Sequence, residues 1–365
     1  MDLLEGVIRS YDWGSTTALA ELRGIEPSGK PEAELWFGAH RSNPSVFRTS
    51  RSCATLDQMP FLVKVLAVER PLSLQVHPDA STAALWYERE EQAGLVVDDP
   101  LRCFPDGRAK PEMVCAIGRF ETLCGFRPLD EALAVAELLD LPQSIVDALH
   151  AADWPAVVAA VLAGSPSDLT ALEAAVAAVP DFSAYRSTAN LVRFLAEMYP
   201  REPSLLLVPL LRHVSMEDGD ALFVAPGVLH IHLSGLAVEI MAVSDDVVRM
   251  GFTSKHVDPL GVLEVIRPAV CGSVESANGA VYRFGSGGDA FTLWRLDGCE
   301  IDVDISCRSG PELFLCIAGT ASVQSAAGST SLVVGPGEAA WISPGDGKAR
   351  LRVEGTVYRV TVGGD

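Results

Sequence analysis

The sequence predicts a mainly β protein built from two double-sheet barrels, with an α-helical insertion inside the first. Three observations predict it. Residues 1–125 alternate short apolar runs such as "PFLVKVLAV", "LSLQVH" and "EMVCAIG" with Gly, Pro and Asp punctuation, the texture of an antiparallel β unit. From Leu129 to Pro200 this gives way to Ala- and Leu-rich stretches at helical spacing, including "DEALAVAELLDL" and "DLTALEAAVAAV", with Pro142, Pro155, Pro166, Pro180 and Pro200 separating the segments. From Ser204 the β texture returns, so the helices interrupt a β unit instead of following it. Finally, "GDALFVAPGVLH" at 219–230 aligns without a gap with "GEAAWISPGDGK" at 337–348: Gly, acid, Ala, strand residues, then a Pro-Gly turn.

Units of this kind recur in jelly-roll and cupin barrels, and two barrels account for a 365-residue chain that exceeds a single core. The expected division is a first barrel from 1–125 with 204–268, a helical insertion at 126–203, and a second barrel at 269–365. The repeats differ at their last position, where His230 of the first is Lys348 of the second. A metal held through His230 would therefore belong to the first barrel alone.

Composition narrows the class of partner. A net charge of −20 argues against nucleic acid, whose binding by counterion release requires a basic surface, and an anionic ligand would need a local cluster of cations. Apolar runs such as "SLLLVPLL" fall well short of the roughly 18–20 residues of a membrane span. The opening "MDLLEGVIRSYDWG" lacks a basic stretch leading into an apolar one, so a cytoplasmic location is expected, with no membrane partner. Cys53, Cys103, Cys115, Cys124, Cys271, Cys299, Cys307 and Cys316 show no zinc-finger spacing and read as reduced core residues. No heptad pattern argues for assembly, and a monomer is expected.

On a strand, side chains two apart share a face. Gln75 and His77 of "LSLQVHPD" project together, as do His230 and His232 of "LHIHL" and Lys110 and Glu112 of "KPEM", where Pro111 keeps Lys110 extended. A lone buried histidine ordinarily makes only hydrogen bonds, and a Lys and a Glu flanking a proline are ordinarily a solvated edge. Three such pairs in apolar strands must either satisfy one another or bind something. A metal answers economically. Gln75, His77, Glu112 and His230 offer nitrogen and oxygen donors suited to zinc and leave about one net positive charge. A rival set, His230, His232 and Glu239, echoes the two-His-one-carboxylate iron sites of oxygenases but leaves "LSLQVHPD" unexplained. Downstream, "EIMAVSDDVVRMGFTSK" adds Asp245 and Asp246 in a turn, then Arg249 and Lys255, the cations a phosphorylated substrate needs. Arg249 could equally pair with Asp245 at the surface.

Taken in order, "YDWGS", "KPEAELWFGAH", "PFLVKVLAVERPLSLQVHPD", "KPEMVCAIGRFETLCGFRP" and "LHIHLSGLAVEIMAVSDDVVRMGFTSKHVD" resemble the type I mannose-6-phosphate isomerases, zinc-dependent cupin enzymes that interconvert mannose 6-phosphate and fructose 6-phosphate. The last hundred residues match only by position and β texture. The resemblance implies one zinc per chain on Gln75, His77, Glu112 and His230, an active-site arginine at Arg249, and lysines at Lys110 and Lys255. It places Ser73, Glu239 and Asp245 in or near the pocket. Three positions depart from the family pattern: Ala109 where a histidine is frequent, His232 where "HAYL" has tyrosine, and Asp246 where "SDN" has asparagine. His232 is expected to replace the tyrosine as a hydrogen-bonding pocket residue. The implied reaction passes through an enediolate. Lys110 or Glu239 would move the proton, and Lys255, helped by Arg249 or Ser73, would hold the phosphate. The alternative is a barrel that binds a sugar phosphate without turning it over.

Overall fold

In the computed structural model, which describes residues 1–268, 272–284, 290–304, 310–326 and 330–363, the long apolar stretches become long bent strands. Glu112–Phe126 and His230–Ala242 pair antiparallel along most of their length, and each changes its outer neighbour midway. The first half of Glu112–Phe126 pairs with Asp220–Val224 and the second half with Leu211–Met216. His230–Ala242 begins against Leu74–Val76 and continues against Phe61–Val68. The bend coincides with a register break between Gly235 and Leu236, beside Gly118, whose left-handed φ of 71° glycine adopts without strain. Strands that bend this way serve two faces, so the ten strands described in this sheet fold over into a barrel.

Glu312–Ser325 and Lys348–Val362 repeat the arrangement. The former pairs first with Ala339–Ile342 and then with Ser331–Val334; the latter pairs with Glu300–Asp304 and then Phe291–Asp297. The registers coincide as well. Glu112 faces Val224 as Glu312 faces Ile342, and Val224 and Ile342 occupy the same place in the two Gly-acid-Ala repeats. The sequence repeat is therefore a structural one.

The helices fall in one strand connection of the first barrel. Phe126 and Leu211 pair with each other, and between them lie the helices Leu129–Leu138, Gln143–His150, Trp154–Leu162, Pro166–Ala178 and Arg186–Met198. In the second barrel the same connection spans only residues 326–330. Three of the prolines begin helices: Pro142 is an N-cap, Pro155 and Pro166 lie in the first turn, and Ser165 and Asp168 close a capping box. Leu149, Val158, Leu172 and Leu195 share a core with Leu123, Ile231 and Val248 of the barrel.

Several features differ from the sequence reading. Ala18–Arg23 and Ala80–Gln92 are helices inside the β-textured region, the second capped by the Asp79 carboxylate. Asp2–Glu5 and Val46–Phe47 join the second barrel's sheet, while Val274–Ser276 joins the first. Of the cysteines, Cys103, Cys115, Cys124 and Cys316 are buried thiols, Cys53 is exposed and Cys299 half-buried; Cys271 and Cys307 lie outside the described residues. No single helix among the described residues is long and apolar enough to cross a membrane.

Candidate metal centre

Three strands bring the expected ligands together. Gln75 pairs directly with His230 on one side and Arg249 on the other, so three residues far apart in sequence form one cross-strand row. Glu112, at the start of its bent strand, completes the cluster: its Oε1 lies 3.3 Å from His77 Nε2 and its Oε2 3.5 Å from His230 Nε2. All three side chains are buried, with candidate ligand atoms within 4.8 Å of one another. His77 Nδ1 donates to the Asp246 carbonyl at 2.9 Å and His230 Nδ1 to the Val228 carbonyl at 3.0 Å. Both rings therefore turn an unprotonated Nε2 inward, the tautomer a metal requires.

Electrostatics agree. Burial would raise the Glu112 carboxyl, but His77, Lys110 and His230 outweigh it and hold the group well below the ordinary range. Burial lowers both imidazoles, with His230 at about 3, further depressed by His77. The result is a carboxylate between two neutral imidazoles. His77 Nε2 and Glu112 Oε2 nevertheless find no hydrogen-bond partner, a costly state for buried polar atoms that a divalent cation would relieve. Gln75 Nε2 lies 3.5 Å from His230 Nε2, while Ser73 Oγ donates to Gln75 Oε1 at 3.0 Å. A half-turn of the amide exchanges the two and presents the oxygen to the centre. Donor set, tautomers and orphaned atoms all fit zinc.

The centre opens on a cavity of about 850 Å³ lined by Ser73, Gln75, Lys110, Asp245, Arg249 and Lys255 among others. Lys110 Nζ is 3.1 Å from Glu112 Oε1. Among the described residues neither Arg249 nor Lys255 has a carboxylate within ion-pair distance, so Arg249 is not the surface partner of Asp245. Burial depresses both cations, and Arg249 depresses Lys255 further. Two adjacent, partly desolvated cations without counterions make a ready site for a dianion.

Glu239 and His232 are placed behind the cavity wall rather than on it. Glu239 accepts from Lys64 Nζ at 2.8 Å; burial would raise its carboxyl, but Lys64 and His232 bring it to about 2. His232 Nδ1 meets Thr122 Oγ1 at 3.0 Å and its Nε2 lies 3.6 Å from Glu239. His232 and Glu239 face each other while tied to Thr122 and Lys64, and the candidate ligand atoms that cluster with His230 are those of His77 and Glu112, so the rival iron set does not converge as a threesome. Lys64 itself, facing Glu239 and Trp36 across the sheet, was missed, although a lone lysine in "PFLVKVLAV" is a visible signal. Asp246 is fully buried, accepting the N–H groups of Asp106 and Arg108; burial and Asp106 push its carboxyl up to about 7.

The model of the phosphomannose isomerase type I catalytic domain matches residues 1–56 and 48–129. The mannose-6-phosphate isomerase of Escherichia coli K12 is 30% identical over 401 residues, covering 99% of each chain, and that of Shigella flexneri is equally similar over 398. The chain belongs to the type I mannose-6-phosphate isomerase family. Its cupin fold is the family's: the Salmonella typhimurium enzyme bound to fructose 6-phosphate and zinc matches with a TM-score of 0.87 at 26% identity, over 100% of this chain and 99% of its own. A zinc-bound holo structure of mannose 6-phosphate isomerase matches with a TM-score of 0.87 at 27% identity, over 99% of both chains. Family membership thus coincides with a cluster whose geometry independently calls for a metal.

Proposed function

We propose that this chain interconverts mannose 6-phosphate and fructose 6-phosphate at a single zinc held by Gln75, His77, Glu112 and His230. The supporting observation is a buried ligand cluster with orphaned atoms that opens on the same cavity as two cations with no counterion among the described residues. When bound, zinc supplies a Lewis acid that polarises a substrate oxygen. The chain's own residues do the rest. Lys255, with Ser73 beside Gln75, receives the phosphate, and Arg249 offers positive charge to the oxygens that become anionic. Lys110, an ammonium beside Glu112 at rest, acts after losing a proton to solvent, and its free amine then takes the proton from C2 of the open-chain aldose. The freed pair forms the C1–C2 enediolate, the hydroxyl proton passes from O2 to O1, and the carbon-bound proton returns at C1. Lys110 is preferred to Glu239 because it lines the cavity, whereas Glu239 is occupied in fixing Lys64 as a cation on the cavity wall.

The test is conversion of fructose 6-phosphate by the purified protein before chelation, after chelation and after zinc is returned. Turnover that vanishes and returns is expected. A folded, zinc-loaded protein that binds the sugar phosphate without converting it would establish the binding-only reading instead. Within this reading the enzyme is a cytoplasmic monomer serving mannose metabolism and GDP-mannose biosynthesis, and size-exclusion chromatography at assay concentration checks the monomer. The division into a catalytic barrel of 1–125 with 204–268, an insertion of 126–203 and a second barrel of 269–365 belongs to the same proposal, with exchanged strands tying the barrels together.

A further inference from the structure

Asp245 lines the cavity and is held on three sides. His40 Nε2 donates to Oδ1 at 2.7 Å, Arg41 Nε donates to Oδ2 at 3.2 Å, and the Asp245 N–H donates to Asp106 Oδ2 at 2.7 Å. His40 is fixed in turn. It is buried, its ring centroid is 4.7 Å from that of Trp36, and its Nδ1 lies 3.3 Å from Ser42 N and 3.0 Å from Ser42 Oγ. A backbone N–H can only donate, so Nδ1 carries no proton and Nε2 carries the one given to Asp245. Burial would raise the Asp245 carboxyl, but His40 and Arg41 bring it to about 2, leaving an ionised acceptor whose side chain is 32% exposed. A rigid carboxylate on a cavity wall, able to accept and never to donate, suits a sugar hydroxyl.

We propose that His40 is a positioning residue which, through Asp245, fixes an acceptor for a hydroxyl of the bound hexose phosphate. The proposal rests on the isomerase reading and gives a task to a histidine within "KPEAELWFGAH" to which the sequence assigned none. A hydroxyl held equally in ground and transition states contributes to affinity rather than to the chemical step, so the signature belongs in KM.

The experiment is steady-state kinetics of the zinc-loaded enzyme on fructose 6-phosphate. Wild type is compared with His40→Ala, His40→Gln, Asp245→Asn and the double variant His40→Ala/Asp245→Asn. His40→Ala is expected to raise KM about 10-fold while kcat stays within about 3-fold. His40→Gln, which restores an N–H donor, should return KM to within about 3-fold of wild type, and in the Asp245→Asn background His40→Ala should move KM less than about 2-fold. A kcat loss with KM unmoved, or an equal KM effect with and without the Asp245 carboxylate, overturns the proposal. Should His40→Ala fail to fold by circular dichroism, Ser42→Ala at an exposed position replaces it, with a KM rise of about 2-fold that must also vanish in the Asp245→Asn background. Zinc-loaded wild type without turnover would sink the isomerase reading and this proposal together. A turning-over wild type with an unmoved His40→Ala KM would sink this proposal alone.

Discussion

Two histidines can act as ligands because of what their other nitrogens do. With each Nδ1 given to a backbone carbonyl, each Nε2 is left as a lone pair, and the carboxylate between them has no proton to share. Arg249 differs: among the described residues it has no carboxylate within ion-pair distance, so its charge is available to the substrate. Arg249→Ala should leave the zinc content at wild-type level while lowering kcat about 10²–10³-fold, the loss typical of one removed oxyanion stabiliser. Metal analysis beside the isomerase assay checks both halves. Asp245 gives a second prediction at this scale. Its folded carboxyl titrates at about 2 instead of 3.8, so its stabilisation is present above the unfolded value and is lost as pH falls from there through about 2. Urea melts at pH 5 and 2.5 should show wild type losing about 1 kcal/mol more than Asp245→Asn over that interval, after allowance for partial exposure.

Among elements, the insertion is not an appendage. Its helices pack on Leu123, Ile231 and Val248, residues of the strands that carry or flank the ligands, and Tyr199 donates to the Pro71 carbonyl at the head of the "LSLQVHPD" segment. Phe194, Met198 and Tyr199 also line the cavity. A cavity-forming change far from the metal, Leu149→Ala within Gln143–His150, should cost about 2–5 kcal/mol of stability. Denaturant unfolding measures that cost, and unchanged zinc content would separate it from damage to the site. The proline-punctuated helical texture was legible because amphipathic spacing is local. The helix Ala80–Gln92 was not: it begins directly after ligand residues, and its modest apolar face hides inside β texture.

The two barrels differ by what meets one carboxylate. Glu312 occupies in the second barrel the register position of Glu112 in the first, but Arg359 grips it through two hydrogen bonds of 2.6 Å. A guanidinium there neutralises the charge a metal would need. Zinc analysis should therefore give one ion per chain in Glu312→Gln and close to none in Glu112→Gln. Glu312→Gln should instead lower global stability by about 3–5 kcal/mol, because it leaves Arg359 buried beside a neutral amide. Two ions per chain in wild type would contradict this account.

By itself the sequence determined the alternating strands, the helical interruption, the repeat, and which side chains share a face, because a strand's period of two is set by local backbone geometry. It also delivered all four candidate ligands, through pairs at i and i+2 in apolar runs, and Arg249 and Lys255 as downstream cations suited to a phosphorylated substrate. Only the tertiary structure decided which pairs converge. Register joined Gln75 to His230 and Arg249 across three strands, while His232 and Glu239, equally suggestive in sequence, were drawn to Thr122 and Lys64. The same non-local pairing brought Lys64 onto the cavity wall, set His40 against Asp245 and moved Asp2–Glu5 into the opposite barrel. Cross-strand register depends on contacts between distant segments, and no local period encodes it.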